Sequence, residues 1–214
     1  GINRRTVESF SAGLRLACRS LETDLIGGDI TATPGPLTAV VTVIGETGPA
    51  GPVRRSGAHV GDRVCVTGRL GGSLLGRHLR FTARVPEGLA LARMAELHAM
   101  IDLSDGLSTD GHHIAEESGV RLELDADCIP LSDDARALSE QDGRSPLWHA
   151  MNDGEDYELL FTLPASAAQR ITLQGIDTVE VTEIGTVIPG CGVTLRHPDG
   201  RIEDVQAGGW EHQV

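Results

Sequence analysis

A layered α/β or α+β fold with a mixed β-sheet packed against helices is what this chain predicts. Short runs rich in Val, Ile, Leu and Thr recur along its length, bounded by Gly and Pro. Between them stand segments with apolar residues at helical spacing. The two kinds mix without strict alternation, which predicts a mixed rather than a purely parallel sheet.

Val7, Phe10, Leu14, Ala17 and Leu21 recur at helical spacing, with Thr6 as the expected N-cap. Gly27-Gly28 is a stop, and residues 37–44 are β-branched and strand-like. The Gly/Pro-rich stretch 45–52 is the expected domain boundary, giving segments 1–52 and 53–214. Residues 63–67 read as a buried strand, and Gly71-Gly72-Ser73 as the start of a short helix reaching Leu79. Pro86 sits in the first turn of a helix over 86–97, where its missing N–H costs little. Residues 99–103 form a short strand; Ser104 or Asp105 caps a helix that stops at Gly119. Val120, Leu122 and Leu124 alternate as a half-buried strand. A helix over 130–138 with Ser132 as cap, a strand over 157–163 and a helix over 164–173 follow. Strands over 178–187 and 193–197 lead to a hairpin turning at Pro198-Asp199-Gly200 into residues 201–205.

Composition narrows the function. Of 214 residues, 40% are hydrophobic, 23% charged and only 3% aromatic, so the core is aliphatic and each aromatic stands out. A net charge of -13 argues against nucleic acid or an anionic membrane as partner. It leaves room for anionic small molecules, because a bound cation inverts the local sign. Cys18, Cys65, Cys128 and Cys191 are scattered without a zinc pattern and read as free thiols of a reducing compartment. No signal peptide is visible, and the apolar run 37–44 is too short to span a bilayer, so the cytoplasm is the expected location.

Three acidic turns carry the chemistry. In Ile101-Asp102-Leu103-Ser104-Asp105-Gly106-Leu107 an apolar strand ends in two carboxylates three apart, then a helix begins. Hard oxygen ligands there suit Mg²⁺, which takes one or two carboxylates plus phosphate and water oxygens. Ser104 could donate to a phosphate or cap the helix. Gly27-Gly28-Asp29 joins backbone N–H groups to a carboxylate, either a phosphate cradle or a plain turn. Glu155-Asp156-Tyr157-Glu158 sets three carboxylates beside an aromatic, for a metal or a cationic ligand, although Asp156 and Glu158 singly read as solvated loop acids. Arg54-Arg55-Ser56-Gly57 is a basic island that could meet a phosphate or simply be an exposed loop. Trp210 could stack on a planar ligand or pack the C-terminus onto the core. The pair His112-His113 points apart on its helix and receives no role. There is no P-loop, nucleophile elbow or zinc-protease signature.

Taken in order, these pieces resemble the thiamine-monophosphate kinase family, within the superfamily that includes aminoimidazole ribonucleotide synthetase. The resemblance runs through Leu25-Ile26-Gly27-Gly28-Asp29-Ile30-Thr31, Arg55-Ser56-Gly57-Ala58 with Gly61-Asp62, Val66-Thr67-Gly68, the Asp102–Asp105 turn, Gly154-Glu155-Asp156-Tyr157-Glu158-Leu159 and Gly209-Trp210-Glu211-His212. It implies transfer of the ATP γ-phosphoryl group to thiamine monophosphate, with Mg²⁺ held by Asp29, Asp102 and Asp105. Gly28, Arg55 and Ser104 would contact ATP, and Glu155 and Trp210 thiamine monophosphate. Residues 1–52 would be the tail of an ATP-binding and dimerisation domain, 53–214 the C-terminal domain, and the protein a homodimer when that first domain is present. Family members carry a further region of about a hundred residues ahead of the first helix, so the chain by itself is expected to be a poor catalyst. Ile30 stands where the family usually has Thr, Asp153 where it commonly has Gly, and Phe81 where it usually has Pro. The alternatives are another ATP-using member with a different acceptor, and a thiamine-phosphate-binding fragment without turnover.

Overall fold

The computed structural model describes residues 3–32, 34–49 and 51–209. It divides into two compact units, residues 1–46 and 47–214. In the first, helix α1 (Arg4–Ser20) is capped by Asn3, whose side chain accepts the Thr6 N–H at 2.9 Å. Thr6 is therefore inside the helix, not its cap as expected, because the first turn opens three residues earlier. Residues 37–44 carry no regular secondary structure and pair with no described strand, and Val40, Val43 and Ile44 are exposed. The expected strand fails there: β-branched residues favour extended backbone, but a strand also needs a ladder partner.

The second unit carries a seven-stranded mixed sheet. Its strands are β1 (Arg63–Thr67), β2 (Ala99–Asp102), β3 (Arg121–Asp125), β4 (Leu159–Leu163), β5 (Val181–Ile188), β6 (Gly192–Arg196) and β7 (Ile202–Val205). They lie in the order β2-β4-β1-β5-β3-β6-β7, all antiparallel except the parallel pair β3–β6. The helices are α2 (Val85–Ala92), α3 (Leu107–Ser118), α4 (Asp133–Asp142), α5 (Pro146–Asn152) and α6 (Ala165–Gln174).

Side-chain alternation sorts the core onto two faces. Val64 and Val66 of β1, Leu160 of β4 and Ile184 of β5 pack with Leu107 and Ile114 of α3 and Met151 of α5. Cys65, Phe161 and Leu163 point the other way, to Leu91 of α2 and Ala167, Ala168 and Ile171 of α6. With helices on both faces, β4 is buried at every position, which is why it reads as apolar throughout except at Thr162.

Most expected elements stand within a few residues of their places. Ser132 caps α4 by accepting the Ala135 N–H at 2.9 Å, and Gly119 ends α3 in the left-handed conformation. The helix expected over 86–97 ends at Ala92, and the stretch 73–79 forms two 3₁₀ turns, Ser73–Leu75 and Arg77–Leu79. Helix α5 was not anticipated, although Ser145-Pro146 starts it in the usual way, with the Ser145 hydroxyl accepting the Trp148 N–H at 3.1 Å. All four cysteines are free, and among the described residues no helix is long and apolar enough to cross a membrane.

Candidate active site

The site is built where β2 and β4 run past the edge of the sheet. Their last rung sets Asp102 opposite Leu159. Beyond it the pairing continues irregularly. The Leu103 N–H donates to the Glu158 carbonyl, the Tyr157 N–H to the Leu103 carbonyl and the Glu155 N–H to the Ser104 carbonyl, each at 2.8 Å. Two acidic motifs fifty residues apart in sequence thus lie side by side. Glu155 and Tyr157 adopt φ of 53° and 51°, a conformation that non-glycine residues hold only where the surroundings over-determine it. Gly154 needs its φ of 70° and its missing side chain: a Cβ there would stand 2.7 Å from the Ser104 carbonyl oxygen.

A cleft of about 520 Å³ opens beside this junction, lined among others by Arg55, Asp102, Ser104, Asp105, Asp110 and His113. Helix α3 starts at Leu107 with Gly106 as N-cap and no side-chain cap, so the expected capping by Ser104 or Asp105 is not found. Instead Asp110, one turn on, reaches back and accepts the Asp105 N–H at 3.0 Å. That arrangement leaves the Ser104 and Asp105 side chains available to the cleft.

Burial pushes the Asp110 carboxyl up to about 7; the Asp105 N–H opposes the shift and the charges of Asp105 and Asp102 add to it. Among the described residues no Arg forms an ion pair with Asp102, Asp105 or Asp110. The Arg55 guanidinium, also in the cleft, is held 2.5 Å from Glu117. Ligand atoms of Asp105, Asp110 and His113 lie within 4.8 Å of one another. A group of carboxylates that burial and mutual repulsion hold uncompensated fits a divalent cation.

Asp156 and Glu158 are not solvated loop acids, contrary to expectation. Both are buried, 3% and 5% exposed. Asp156 accepts the Gly71 N–H and pairs with the Arg77 guanidinium at 2.6 Å; burial nevertheless pushes its carboxyl up to about 7. Glu158 accepts the Thr67 hydroxyl at 2.6 Å and two Arg84 N–H groups at 2.7 Å each. Asp153 accepts the Gly72 N–H at 2.8 Å and pairs with buried His149. These acids hold the motif from behind, while the Tyr157 side chain lies within electrostatic reach of Glu155, Asp102 and Asp105. Those three charges help push the Tyr157 phenol up, after its burial. Phe81 stacks on Tyr157 with centroids 4.1 Å apart.

Arg55, Asp102, Ser104 and Asp105 are therefore gathered in one cleft, with Glu155 joined to Ser104 by its backbone. Gly28 and Asp29 belong to the first unit, where both are exposed and the Thr31 hydroxyl donates to Asp29 at 3.0 Å. Trp210 lies outside the described residues; Gly209 before it donates its N–H to the Thr109 hydroxyl at 3.1 Å. Asp110 and His113 were missed. His112 and His113 do diverge, the former placing Nδ1 2.7 Å from the Ser108 carbonyl oxygen, but His113 shares the Asp110 face of α3. Their i, i+3 spacing was the available signal.

Residues 52–198 match the family of AIR synthase related proteins, C-terminal domain. The chain is 39% identical to a thiamine-monophosphate kinase of Rhodopirellula baltica, over 94% of this chain and 62% of that protein. It is 34% identical to the thiamine-monophosphate kinase of Aquifex aeolicus, over 96% of this chain and 68% of that protein. The chain belongs to the thiamine-monophosphate kinase family. Among solved structures it superposes on AaThiL complexed with AMPPCP and TMP with a TM-score of 0.78 and 30% identity, over 99% of this chain and 70% of that one. Escherichia coli HypE, a hydrogenase maturation protein, shares the fold at a TM-score of 0.60 and 18% identity, covering 75% of this chain and 54% of that one. The chain spans 62% of the length of the Rhodopirellula kinase.

Proposed function

We propose that the protein serves as an ATP-dependent thiamine-monophosphate kinase, forming thiamine diphosphate and ADP. The observation that carries this reading is the alignment of residues 102–105 with 155–158. It sets Asp102, Ser104 and Asp105 beside Glu155 and Tyr157 in a chain of this family. The solved relative that holds AMPPCP and TMP supports the same pair of substrates.

Asp102, Asp105 and Asp110 would hold Mg²⁺ in the cleft of the second unit; for Asp29 a metal role rests on the family resemblance. When bound, the ion supplies charge neutralisation for the nucleotide phosphates. Ser104 and Arg55 would meet ATP; for Gly28 a nucleotide contact rests on the family resemblance. Glu155 and, on the family resemblance, Trp210 would orient thiamine monophosphate, and the Phe81–Tyr157 stack offers an aromatic face to its cationic ring. The acceptor is already a phosphate oxyanion, with a second pKa near ~6, so the chain need supply no strong general base. Positioning and electrostatics do the remaining work. A cytoplasmic homodimer belongs to the same reading, on family resemblance. So does the division of labour in which residues 1–52 are ATP-side and 53–214 the C-terminal domain.

The test is incubation with ATP, Mg²⁺ and thiamine monophosphate, followed by detection of thiamine diphosphate. Slow product formation from the chain, in keeping with a poor catalyst, and none from a folded Asp105→Asn variant is expected. No product, with thiamine monophosphate still raising the unfolding temperature, would reassign the chain as a substrate-binding part. Neither product nor binding would overturn the proposal.

A further inference from the structure

Outside the cleft, a second cluster of ligating side chains lies where the loop into β1 meets the turn into β2. His59 and Asp62 belong to the loop, His98 to the turn, and none of the three lines the acidic cleft. His59 Nδ1 is 3.2 Å from His98 Nδ1, and His98 Nδ1 is 2.8 Å from Asp62 Oδ2. One ligand atom from each residue lies within 4.8 Å of the other two. The two rings meet edge to face, centroids 4.5 Å apart at 82°.

From this geometry we propose that His59, Asp62 and His98 form a site for a divalent transition-metal ion of the Zn²⁺ class. Two imidazole nitrogens bound tetrahedrally at Zn–N distances of ~2.0–2.1 Å stand about 3.3 Å apart, and the pair here is already at 3.2 Å. Two nitrogens and one carboxylate oxygen suit Zn²⁺, Co²⁺ or Ni²⁺ rather than Mg²⁺, which prefers oxygen ligands. Three protein ligands leave a position open, and the exposed His59 edge of the cluster gives solvent access to it.

The ligands are held before any ion arrives. Asp62 Oδ2 accepts the His59 N–H at 2.8 Å, while the Asp62 N–H donates to the His59 carbonyl at 3.0 Å. The Asp62 carbonyl accepts the Val187 N–H at 2.9 Å, fixing the loop to β5. The His98 N–H donates to the Thr162 carbonyl at 3.0 Å, fixing the turn to β4. Gly57 packs so closely on the His98 carbonyl that a Cβ would stand 2.0 Å from its oxygen. A metal ion here would staple the Arg55-bearing loop to the start of β2 and would stabilise the fold by binding only its native form.

The experiment titrates the full chain with Zn²⁺ in chelator-buffered solution and with Co²⁺ followed by its visible spectrum. It compares wild type with His59→Ala, His98→Ala and, as a control in the cleft cluster, His113→Ala. Far-UV circular dichroism and metal-free unfolding temperature verify that each variant folds. The expected result is a nitrogen-ligated Co²⁺ spectrum and a Zn²⁺-dependent rise in unfolding temperature, retained in His113→Ala. In His59→Ala and His98→Ala the Zn²⁺ affinity falls by more than about 100-fold, beyond the ~10–100-fold typical of outer-shell partners. If His98→Ala does not fold, exposed His59 decides the matter alone. Zn²⁺ binding unchanged in His59→Ala, binding lost only in His113→Ala, or no binding to wild type would each overturn the proposal.

Discussion

Replacing Arg84 by Met tests whether the acidic motif is held from behind as the structure indicates. Arg84 is the shared cation of two buried carboxylates. It donates twice to Glu158 at 2.7 Å and stands 3.8 Å from Glu87, whose other oxygen has no partner. The side chains of Glu158 and Glu87 are 6% and 8% exposed, that of Arg84 20%. Breaking a buried ion pair from one side costs about 3–5 kcal/mol, because the remaining charge stays desolvated. A loss of ~4 kcal/mol is therefore expected for Arg84→Met. With a urea slope near ~2 kcal/mol/M, the unfolding midpoint drops by about 2 M.

The sharper expectation concerns the double variant. Adding Glu158→Gln removes one stranded charge yet keeps an oxygen for the Thr67 hydroxyl, so Arg84→Met/Glu158→Gln should be more stable than Arg84→Met by roughly 1–2 kcal/mol. Arg170→Ala, which opens an exposed pair with Glu96, serves as control and should leave the midpoint in place. Equilibrium urea unfolding of the four proteins decides it. A cost below about 1 kcal/mol for Arg84→Met, the range of a surface bridge, would refute the reasoning. So would a double variant less stable than the single.

Gly154→Ala should cost about 2–3 kcal/mol, since it combines a left-handed backbone with a Cβ pressed on the Ser104 carbonyl; thermal unfolding with no loss of stability would contradict the close packing of the two motifs. Asp110 and Asp156 have carboxyls raised from 3.8 to about 7, so the folded state holds their protons more tightly than the unfolded chain does. Their stabilisation is thus present below the ordinary carboxylate value and lost as pH rises through about 7. Each is bounded above by about 4 kcal/mol. In metal-free urea titrations between about pH 5 and pH 8, Asp110→Asn should remove part of that slope and leave the part due to Asp156; an unchanged slope would count against it. Burial, with Glu183 adding to it, pushes the Cys65 thiol up to about 12, whereas Cys128 and Cys191 are exposed. Cys65 should stay unmodified by a disulfide reagent until the chain unfolds, and its prompt labelling in native buffer would show that β1 is not sealed between its neighbours.

What could be read from the sequence was local, and what could not was long-range. The turn at Asp102–Asp105, the Ser132 cap and the Gly119 stop depend on neighbours within a few residues, and each stands where the pattern put it, apart from the cap of α3. That cap shifted to Gly106 because Asp110 already satisfies the Asp105 N–H, a choice fixed by the exact start of the helix. The fate of Glu158 depends on Arg84, 74 residues upstream, and that of Asp156 on Arg77, 79 residues upstream. No window around the motif contains those cations, so two acids that anchor the loop read as solvated ones. Residues 37–44 failed in the same way: β-branched propensity alone makes no strand, because a strand is a relation between two segments.

This division bears on the site itself. An acidic motif whose carboxylates all faced the cleft would be mobile and mutually repelling. Here alternate residues are used differently: Asp156 and Glu158 are pinned inward by Arg77 and Arg84, and that leaves Glu155 and Tyr157 in strained, positive-φ positions on the other side. The strain is offset by the buried pairs, so geometry at the cleft depends on interactions that never touch a ligand. A variant such as Arg84→Met, if still folded, should for that reason loosen Glu155 and Tyr157 while leaving Asp102 and Asp105, which ride on β2 and its turn, in place. On the proposed function, thiamine monophosphate binding would weaken more than nucleotide binding. Equal weakening of both would mean that the two motifs move as one body and that the pins hold the whole junction.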